Sequence, residues 1–378
     1  MRDATASATS RVLLVDPSVF GQSHLLVNTG FIQLASQLFS ECVILANESH
    51  RVALEDYLSR EAATTNLTFH GCSDASQFYD SVQDLIKQQG FTQVIFLNLE
   101  YPLFLKLNLA FRFRNDVRFH WVVHSHLLSF RDGGALNGIR NKAKYWLLFK
   151  TFGNSSFIVY ADAIRRNFTA LMSPSASSAS PKIDVIFHPI GVSQLPSALD
   201  DASRTTRQDR FSLLYMVGWH ALPASIQSTL DRIRDIAAAN DALDFDKVDN
   251  KFSSASEHKV FVRDYRDRLQ QIAGYDYILH VPADNYALQA SGALMDAIIA
   301  VTPVIGITTD FSRELTSIIG QFGFFCDTHE DLIRFFETID LDILRRNIQL
   351  FRTNLKNAPA IIHDLNRRQL KAIVPALA

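Results

Sequence analysis

Short apolar runs alternate along the chain with longer segments of helical periodicity. Buried strands are predicted in the first half at residues 11–16, 42–46, 93–97, 119–123, 156–160 and 183–187. Runs of the same character lie in the second half at residues 211–217, 277–281 and 304–307. Because amphipathic helical segments separate these runs, the pattern predicts parallel, doubly wound sheets of the α/β class.

One polar stretch interrupts this alternation. Residues 193–210 contain Pro196, lack apolar periodicity and are followed by a new series of strands and helices. A chain of 378 residues is also long for a single hydrophobic core. We therefore predict an N-terminal Rossmann-like domain at 1–195 and a C-terminal Rossmann-like domain with terminal helices at 196–378.

The net charge of −2 favours no particular partner, but basic residues concentrate in one part of the chain. Residues 101–170 contain eleven Lys and Arg against three Asp, a balance of +8, so the other residues together carry −10. The cysteines Cys42, Cys72 and Cys326 are far apart and lack metal-ligand spacing, which is typical of a reducing cytoplasm. We find neither a signal peptide nor an apolar run of the roughly 18–20 residues that a membrane helix needs. These features predict a cytoplasmic protein.

The segment from residue 290 to residue 307 holds the strongest candidate for a ligand site. Ser291 and Gly292 form a helix-start signal, residues 293–301 are almost wholly apolar, and a strand is predicted at Val304–Ile307 after Thr302-Pro303. Asp296 lies inside the apolar helix, where an unpaired carboxylate is costly. A phosphate at the helix start and a ribose hydroxyl on Asp296 would account for these features. The alternative is an ordinary helix with Asp296 paired to a nearby Arg.

The same segment, from Tyr286 through Ser291, Gly292 and Asp296 to Pro303-Val-Ile, resembles the donor-nucleotide motif of GT-B glycosyltransferases. In that superfamily the turn before the helix meets the donor phosphates and the acid holds the ribose. The retaining branch usually has a Glu eight residues before that acid, where this chain has Leu288, so the stereochemistry stays open. The resemblance implies two doubly wound Rossmann-like domains that face each other across a cleft.

The resemblance also extends to other parts of the second half. Gly218 follows its first strand, where the family has a glycine turn, but residues 221–228 lack the basic residue that often follows. Arg263 is the candidate for the missing cation, and the alternative is a pair with Asp264. The resemblance implies a donor site that contains Gly218, Arg263, Tyr286, Ser291, Gly292 and Asp296.

Residues directly after strands are the candidates for catalysis in the first half, because ligands of open α/β sheets bind at the carboxyl ends of the strands. The rule selects the segment from Asp16 to His24, which contains Gly21, residues 98–101, and His124 and His126 after a later strand. Retaining GT-B enzymes often carry a His at the position of His124. An inverting enzyme needs a base near pKa 7, for which Asp16, Glu100, Asp132 and either histidine are eligible. The alternative is a histidine pair that only holds neighbouring loops.

Two basic segments, 104–114 and 139–150, interleave large apolar residues with cations. Such a face suits peripheral contact with an anionic membrane, which would place the protein at the inner membrane face. The alternative is an amphipathic helix whose apolar side packs in the core and whose basic side is exposed to solvent. We expect no nucleic-acid partner. Because Asp244-Phe-Asp246 lies in a polar stretch and not at a strand end, we also predict a site without metal or other cofactor.

The resemblance implies a glycosyltransferase that moves a sugar from a nucleoside diphosphate donor to a glycan or lipid-linked acceptor, as in cell-surface polysaccharide synthesis. Two alternatives stay open. One is a nucleotide-sugar epimerase or hydrolase on the same fold, and the other is a catalytically degenerate sugar-binding or scaffold protein.

Overall fold

The computed structural model describes residues 10–59, 65–74, 77–124, 127, 154–172, 182–191, 210–216, 223–248, 252–253, 260–261, 265–282 and 287–374. The contacts among these residues divide the chain into two compact units. The first domain comprises the described residues up to Tyr160, those of Phe168–Gly191 and those from His363 onward. The second domain comprises Ala161–Asn167 and the described residues of Val192–Ile362. The predicted boundary between residues 195 and 196 lies outside the described residues. A single boundary there would assign Ala161–Asn167 to the first domain and the residues from His363 onward to the second, but their contacts group them the other way round.

The first domain contains a parallel sheet of seven strands in the order β3-β2-β1-β4-β5-β6-β7. The strands are β1 (Arg11–Asp16), β2 (Glu41–Asn47), β3 (Leu67–Cys72), β4 (Gln93–Phe96), β5 (Arg118–Val122), β6 (Ser155–Val159) and β7 (Ile183–Val185). Helices in this half of the chain are α1 (Leu25–Ser36), α2 (Glu48–Ser59), α3 (Gln77–Gln89), α4 (Tyr101–Ala110) and α5 (Asp162–Met172). The strand order reverses between β1 and β4, which makes their carboxyl ends the topological switch point.

The second domain contains a parallel sheet of five strands in the order β14-β13-β12-β8-β9. Its strands are β8 (Phe211–Met216), β9 (Leu243–Val248), β12 (Tyr277–His280), β13 (Val304–Ile307) and β14 (Gly323–Cys326), with a separate antiparallel pair β10 (Phe252–Ser253) and β11 (Val260–Phe261). The helices that follow are α6 (Ala224–Ala238), α7 (Tyr265–Ala273), α8 (Gly292–Ile299), α9 (Asp310–Ile319), α10 (His329–Glu337) and α11 (Leu341–Ile373). The switch point of this sheet lies between β8 and β12.

Two expectations about secondary structure were wrong. Residues 243–248 form the edge strand β9, so Asp244 and Asp246 lie on a strand and not in an irregular polar stretch. Residues 341–373 form one continuous helix with Pro359 inside it, whereas the sequence pattern predicts two helices, at 341–355 and 358–377. The loss of one backbone N–H at Pro359 is offset by a buried stripe that continues past it, because Leu355, Ala358 and Ile362 are all almost inaccessible to solvent.

Gly30 allows α1 to approach the backbone after β7. A Cβ atom at Gly30 would lie 2.6 Å from the carbonyl carbon of Ile190 and 2.7 Å from the amide nitrogen of Gly191. We expect Gly30→Ala to lower the free energy of unfolding by about 2 kcal/mol, because overpacking against backbone outweighs the helix propensity of Ala. Urea denaturation followed by circular dichroism measures the change. An unchanged or higher midpoint would contradict this packing argument.

Candidate functional site

Three histidines and a tyrosine meet at the carboxyl edge of the first sheet, and we call them the histidine cluster. The ring of His24 lies edge-on to the ring of His124, with 5.1 Å between centroids. The ring of Tyr160 lies 5.1 Å from His124 and 5.0 Å from His188. His24 precedes α1, and the other three residues follow β5, β6 and β7. Tyr160 and His188 are buried, whereas His24 and His124 are partly exposed.

A buried network beneath the histidine cluster holds the loop after β1. The carboxylate of Asp16 accepts a hydrogen bond from Asn28 and lies 3.4 Å from Nε2 of His50. Nδ1 of His50 lies 2.6 Å from the carbonyl oxygen of Gly21. Because a carbonyl only accepts, Nδ1 of His50 carries a proton, and Nε2 lies 3.0 Å from the side-chain nitrogen of Asn28. The network therefore holds the backbone of Gly21 in place. His24 lies three residues further along the same loop, directly before α1.

Two residues of this loop have left-handed backbone conformations. Gly21 has φ 55° and His24 has φ 54°. The left-handed region is ordinary for glycine but uncommon for histidine. His24 also takes the position before the first residue of α1, where its side chain makes no capping hydrogen bond. The backbone thus directs the imidazole of His24 to the histidine cluster and not to the start of its own helix.

The electrostatic surroundings keep His24 neutral near pH 7. Burial is the largest influence and lowers the pKa of His24, while the negative charge of Asp16 opposes this and the neighbouring His50 adds to it. Asp16 is fully buried, so its carboxylate acts on His24 through its field. A neutral imidazole beside a fixed carboxylate can accept a proton and is stabilised after doing so.

In the second domain, Ser291 and Gly292 begin α8. The hydroxyl oxygen of Ser291 accepts a hydrogen bond from the backbone N–H of Leu294 at 3.3 Å, which is an N-cap. Gly292 is exposed, and a Cβ atom built on it would meet no atom of the described residues within 4 Å. Its φ is not in the left-handed region. Packing and backbone conformation therefore give no reason for a glycine at this position.

Asp296 is buried one turn into α8 and has two partners on α7. Its carboxylate accepts hydrogen bonds from the hydroxyl of Tyr265 and, at 2.7 Å, from the guanidinium of Arg268. Burial raises the pKa of Asp296, and the charge of Arg268 and both hydrogen bonds oppose that shift. The same guanidinium lies 3.9 Å from the sulfur of Met216, at the carboxyl end of β8. The pair thus lies beside the switch point of the second sheet.

Solved structures resemble the chain over nearly its whole length. Neither a family model nor a curated protein sequence matches it. Anabaena HepE in complex with UDP and glucose has TM-score 0.56 and 14% identity, over 97% of this chain and 100% of that chain. A glycosyltransferase from Rickettsia africae ESF-5 has TM-score 0.56 and 12% identity, over 97% and 99% of the two chains. The N-terminal domain of Candida albicans trehalose-6-phosphate phosphatase has TM-score 0.60 and 11% identity, over 97% of both.

The chain has the fold of the GT-B glycosyltransferase superfamily. Its two parallel sheets with flanking helices are the Rossmann-like domains of that fold, as the sequence predicted. At 11–14% identity these likenesses establish the GT-B fold only. The reaction must be inferred from the residues of the site.

The described residues include three of the six expected donor-site residues. Ser291 caps α8, Gly292 is exposed at its start, and Asp296 is paired with Arg268, which is the alternative that its place in an apolar helix left open. Contact of these three with a nucleotide stays a prediction. The remaining donor-side candidates, Gly218, Arg263 and Tyr286, lie outside the described residues.

Among the expected catalytic residues, His124 lies in the histidine cluster and Asp16 lies beneath it, whereas His126 lies outside the described residues. The strand-end rule selected the segment from Asp16 to His24 without giving His24 a role of its own, and sequence reasoning did not select His50 or Arg268. His24 ends the segment after the first strand, so its position was a usable signal. His50 and Arg268 could be recognised only through contacts between distant parts of the chain.

The two carboxylates on β9, which could be considered as metal ligands, both have protein partners. Asp244 pairs with Arg210 at 3.2 Å, and Asp246 accepts a hydrogen bond from Tyr275 at 2.8 Å. Within the described ranges, His, Cys, Asp and Glu side chains form no group of three suited to a metal ion. Metal independence stays a prediction. The helices of those ranges also include none with the length and apolar character of a membrane span.

Proposed function

We propose that the protein transfers a sugar from a nucleoside diphosphate donor to a glycan or lipid-linked acceptor in cell-surface polysaccharide synthesis. The GT-B fold supports sugar transfer, and the solved structure of HepE with UDP and glucose is consistent with a nucleotide-sugar donor. The start of α8 carries the proposal most directly. It combines a capped helix N-terminus, an exposed glycine without a packing role and a carboxylate one turn further along.

The donor would bind the second domain with its diphosphate at the start of α8. The first backbone N–H groups of a helix lack partners within the helix and carry partial positive charge, which favours phosphate oxygens. Gly292 would let these oxygens approach the backbone. Asp296 already accepts one hydrogen bond on each oxygen, and each carboxylate oxygen has capacity for a second from a ribose hydroxyl. The charge of Arg268 opposes the rise that burial causes in the pKa of this carboxyl group.

The chemical step would belong to the histidine cluster. Either His24 or His124 would accept the proton of the acceptor hydroxyl, and Asp16 would stabilise the imidazolium that forms. The leaving diphosphate would be stabilised by the helix terminus and by basic side chains, without a metal ion. Asp16 itself is fully buried and supports the base electrostatically.

Gly292→Ala tests the donor site. We expect the affinity for nucleoside diphosphates to fall about tenfold or more, because a methyl group would displace phosphate oxygens from charge-assisted hydrogen bonds. The free energy of unfolding should stay the same or rise slightly, because Ala favours the helix more than Gly does. Isothermal titration with a nucleotide panel and thermal melting measure the two effects.

Glu330→Ala provides the matched control, because Glu330 is an exposed residue in the first turn of α10 in the same domain. It should leave nucleotide affinity unchanged. If wild type and Gly292→Ala bind nucleoside diphosphates with equal affinity, the donor does not bind at the start of α8. Absence of nucleotide binding by the wild type would refute the transferase. Binding of a nucleoside diphosphate without turnover of any nucleotide sugar would favour the degenerate binding protein.

A further inference from the structure

The end of α4 and the turn after it expose two large apolar side chains. Phe113 is 82% exposed and Leu109 is 56% exposed, which are the two highest values among the large hydrophobic side chains of the described residues. Most of the other apolar side chains of α4 face the core, since Leu103, Phe104 and Leu107 are buried. Leu109 therefore lies on the face of α4 opposite the buried residues, and Phe113 lies in the turn that follows the helix, so core packing explains neither side chain.

Cations surround this apolar pair. Lys106 is exposed on the same helix, and the guanidinium of Arg112 stacks on the ring of Phe113 at 4.4 Å from its centroid. Arg114 follows directly and pairs with Asp116 at 2.6 Å. Between residues 101 and 120 the charged residues are Lys106, Arg112, Arg114 and Arg118 against Asp116, a balance of +3. We call Lys106, Leu109, Arg112, Phe113 and Arg114 the α4 tip.

We propose that the α4 tip binds the surface of an anionic phospholipid membrane. Phe113 and Leu109 would enter the boundary between headgroups and acyl chains, and Lys106 and Arg112 would remain among the lipid phosphates. Each cation near an anionic leaflet adds to the affinity, and the apolar side chains hold the protein once it is in contact. This surface lies entirely in the first domain, and the proposal does not depend on sugar transfer.

The charge of the α4 tip argues against a second copy of this chain as the occupant. A two-fold contact would bring the same patch from both copies together, so the cations of one copy would face the cations of the other. An anionic lipid surface satisfies both the charge and the apolar side chains.

Vesicle co-sedimentation with the full chain tests the proposal. We expect binding to vesicles of equal parts phosphatidylcholine and phosphatidylglycerol, and at least tenfold weaker binding to phosphatidylcholine alone. The double variant Leu109→Gln/Phe113→Gln should bind the anionic vesicles about tenfold more weakly, because it removes most of the buried apolar area. Arg112→Gln should reduce binding about fivefold, which is the contribution of one cation.

Control variants come from α11 in the second domain. Leu350 is 51% exposed and Arg346 is exposed on the same helix, so Leu350→Gln and Arg346→Gln match the changes in kind and exposure. Neither should alter vesicle binding. Because all of these side chains are exposed, melting temperatures should stay close to that of the wild type, which shows that the variants fold.

Several results would overturn the proposal. They are an absence of vesicle binding by the wild type, equal binding to neutral and anionic vesicles, and equal loss in the α4 and α11 variants. A wild type that dimerises in light scattering and becomes monomeric in the Leu109→Gln/Phe113→Gln variant, without vesicle binding, would assign the surface to a second copy. Nucleotide affinity should be the same in all of these variants, so failure here is distinct from failure of the donor site.

Discussion

Lowering the pH from 7 to 5 is expected to reduce the free energy of unfolding of the first domain by roughly 4 kcal/mol. Two buried histidines cause most of this loss. Burial lowers the pKa of His120 to about 4, helped by the charges of Lys182 and Arg118. Burial also lowers the pKa of His188 to about 4. In the unfolded chain both have an ordinary value of 6.5, so each contributes roughly 2 kcal/mol over this interval.

The direction of the effect follows from proton binding. Between pH 6.5 and 4 the unfolded chain holds protons on these histidines and the folded chain does not, so stability falls as the pH falls. His120 is well satisfied while neutral, with Ser156 at 2.8 Å on one nitrogen and Gln93 at 3.0 Å on the other. Asp296 acts in the opposite direction in the second domain, where burial raises its pKa. His280, whose pKa burial lowers to about 4, adds to the loss there.

Urea denaturation at a series of pH values, with hydrogen exchange of β4 to β6 as a readout specific to the first domain, measures this loss. His120→Gln removes one titrating group, so its stability should change with pH by about half as much as that of the wild type. The comparison of slopes remains informative even if the variant is less stable at pH 7. A wild-type stability that is flat or rises between pH 7 and 5 would refute the assignment of neutral buried histidines.

The strands of both sheets were largely predictable because strands of a parallel sheet are buried on both faces and therefore appear as continuous apolar runs. Val304–Ile307 was predicted with the bounds that the structure has. β9 was missed because it lies at the edge of its sheet, where Asp244 and Asp246 can remain in contact with solvent. An edge strand with alternating polar residues resembles a loop when only the sequence is considered.

The local part of the donor-site candidate was also accessible from the sequence. A Ser-Gly pair before an apolar run is a helix start, and Ser291 does cap α8. The partners of Asp296 were not accessible, because Tyr265 and Arg268 reach it only after α7 packs against α8. A buried acid in a helix indicates that a partner exists, but the partner comes from tertiary structure.

The same limit applies to the histidine cluster. The rule that parallel strands present their carboxyl ends at one edge was enough to select Asp16 and His124. It could not show that Asp16 is fully buried while His24 and His124 are the partly exposed groups. The choice between a carboxylate and an imidazole as base depends on that difference in access.

His24→Asn is expected to lower kcat/KM for sugar transfer or donor hydrolysis by about 10²–10⁴, the usual contribution of a general base. The negative charge of the buried Asp16 favours the protonated form of His24. Burial nevertheless holds the pKa of His24 below 6.5, so the ring is neutral and able to accept a proton at pH 7. The wild type should therefore lose kcat/KM in acid with a midpoint below pH 6.5.

Release of nucleoside diphosphate from the best donor of a nucleotide-sugar panel measures this effect. His70→Asn on the edge strand β3 is the control for loss of a histidine elsewhere in the first domain. His124→Asn separates the two imidazoles and should cost less, because His124 would position the acceptor while His24 takes the proton. A large loss with His124→Asn and little with His24→Asn would make His124 the base. If neither variant changes kcat/KM or its acid limb, the chemical step lies outside the histidine cluster, and Asp16 is buried for structural reasons alone.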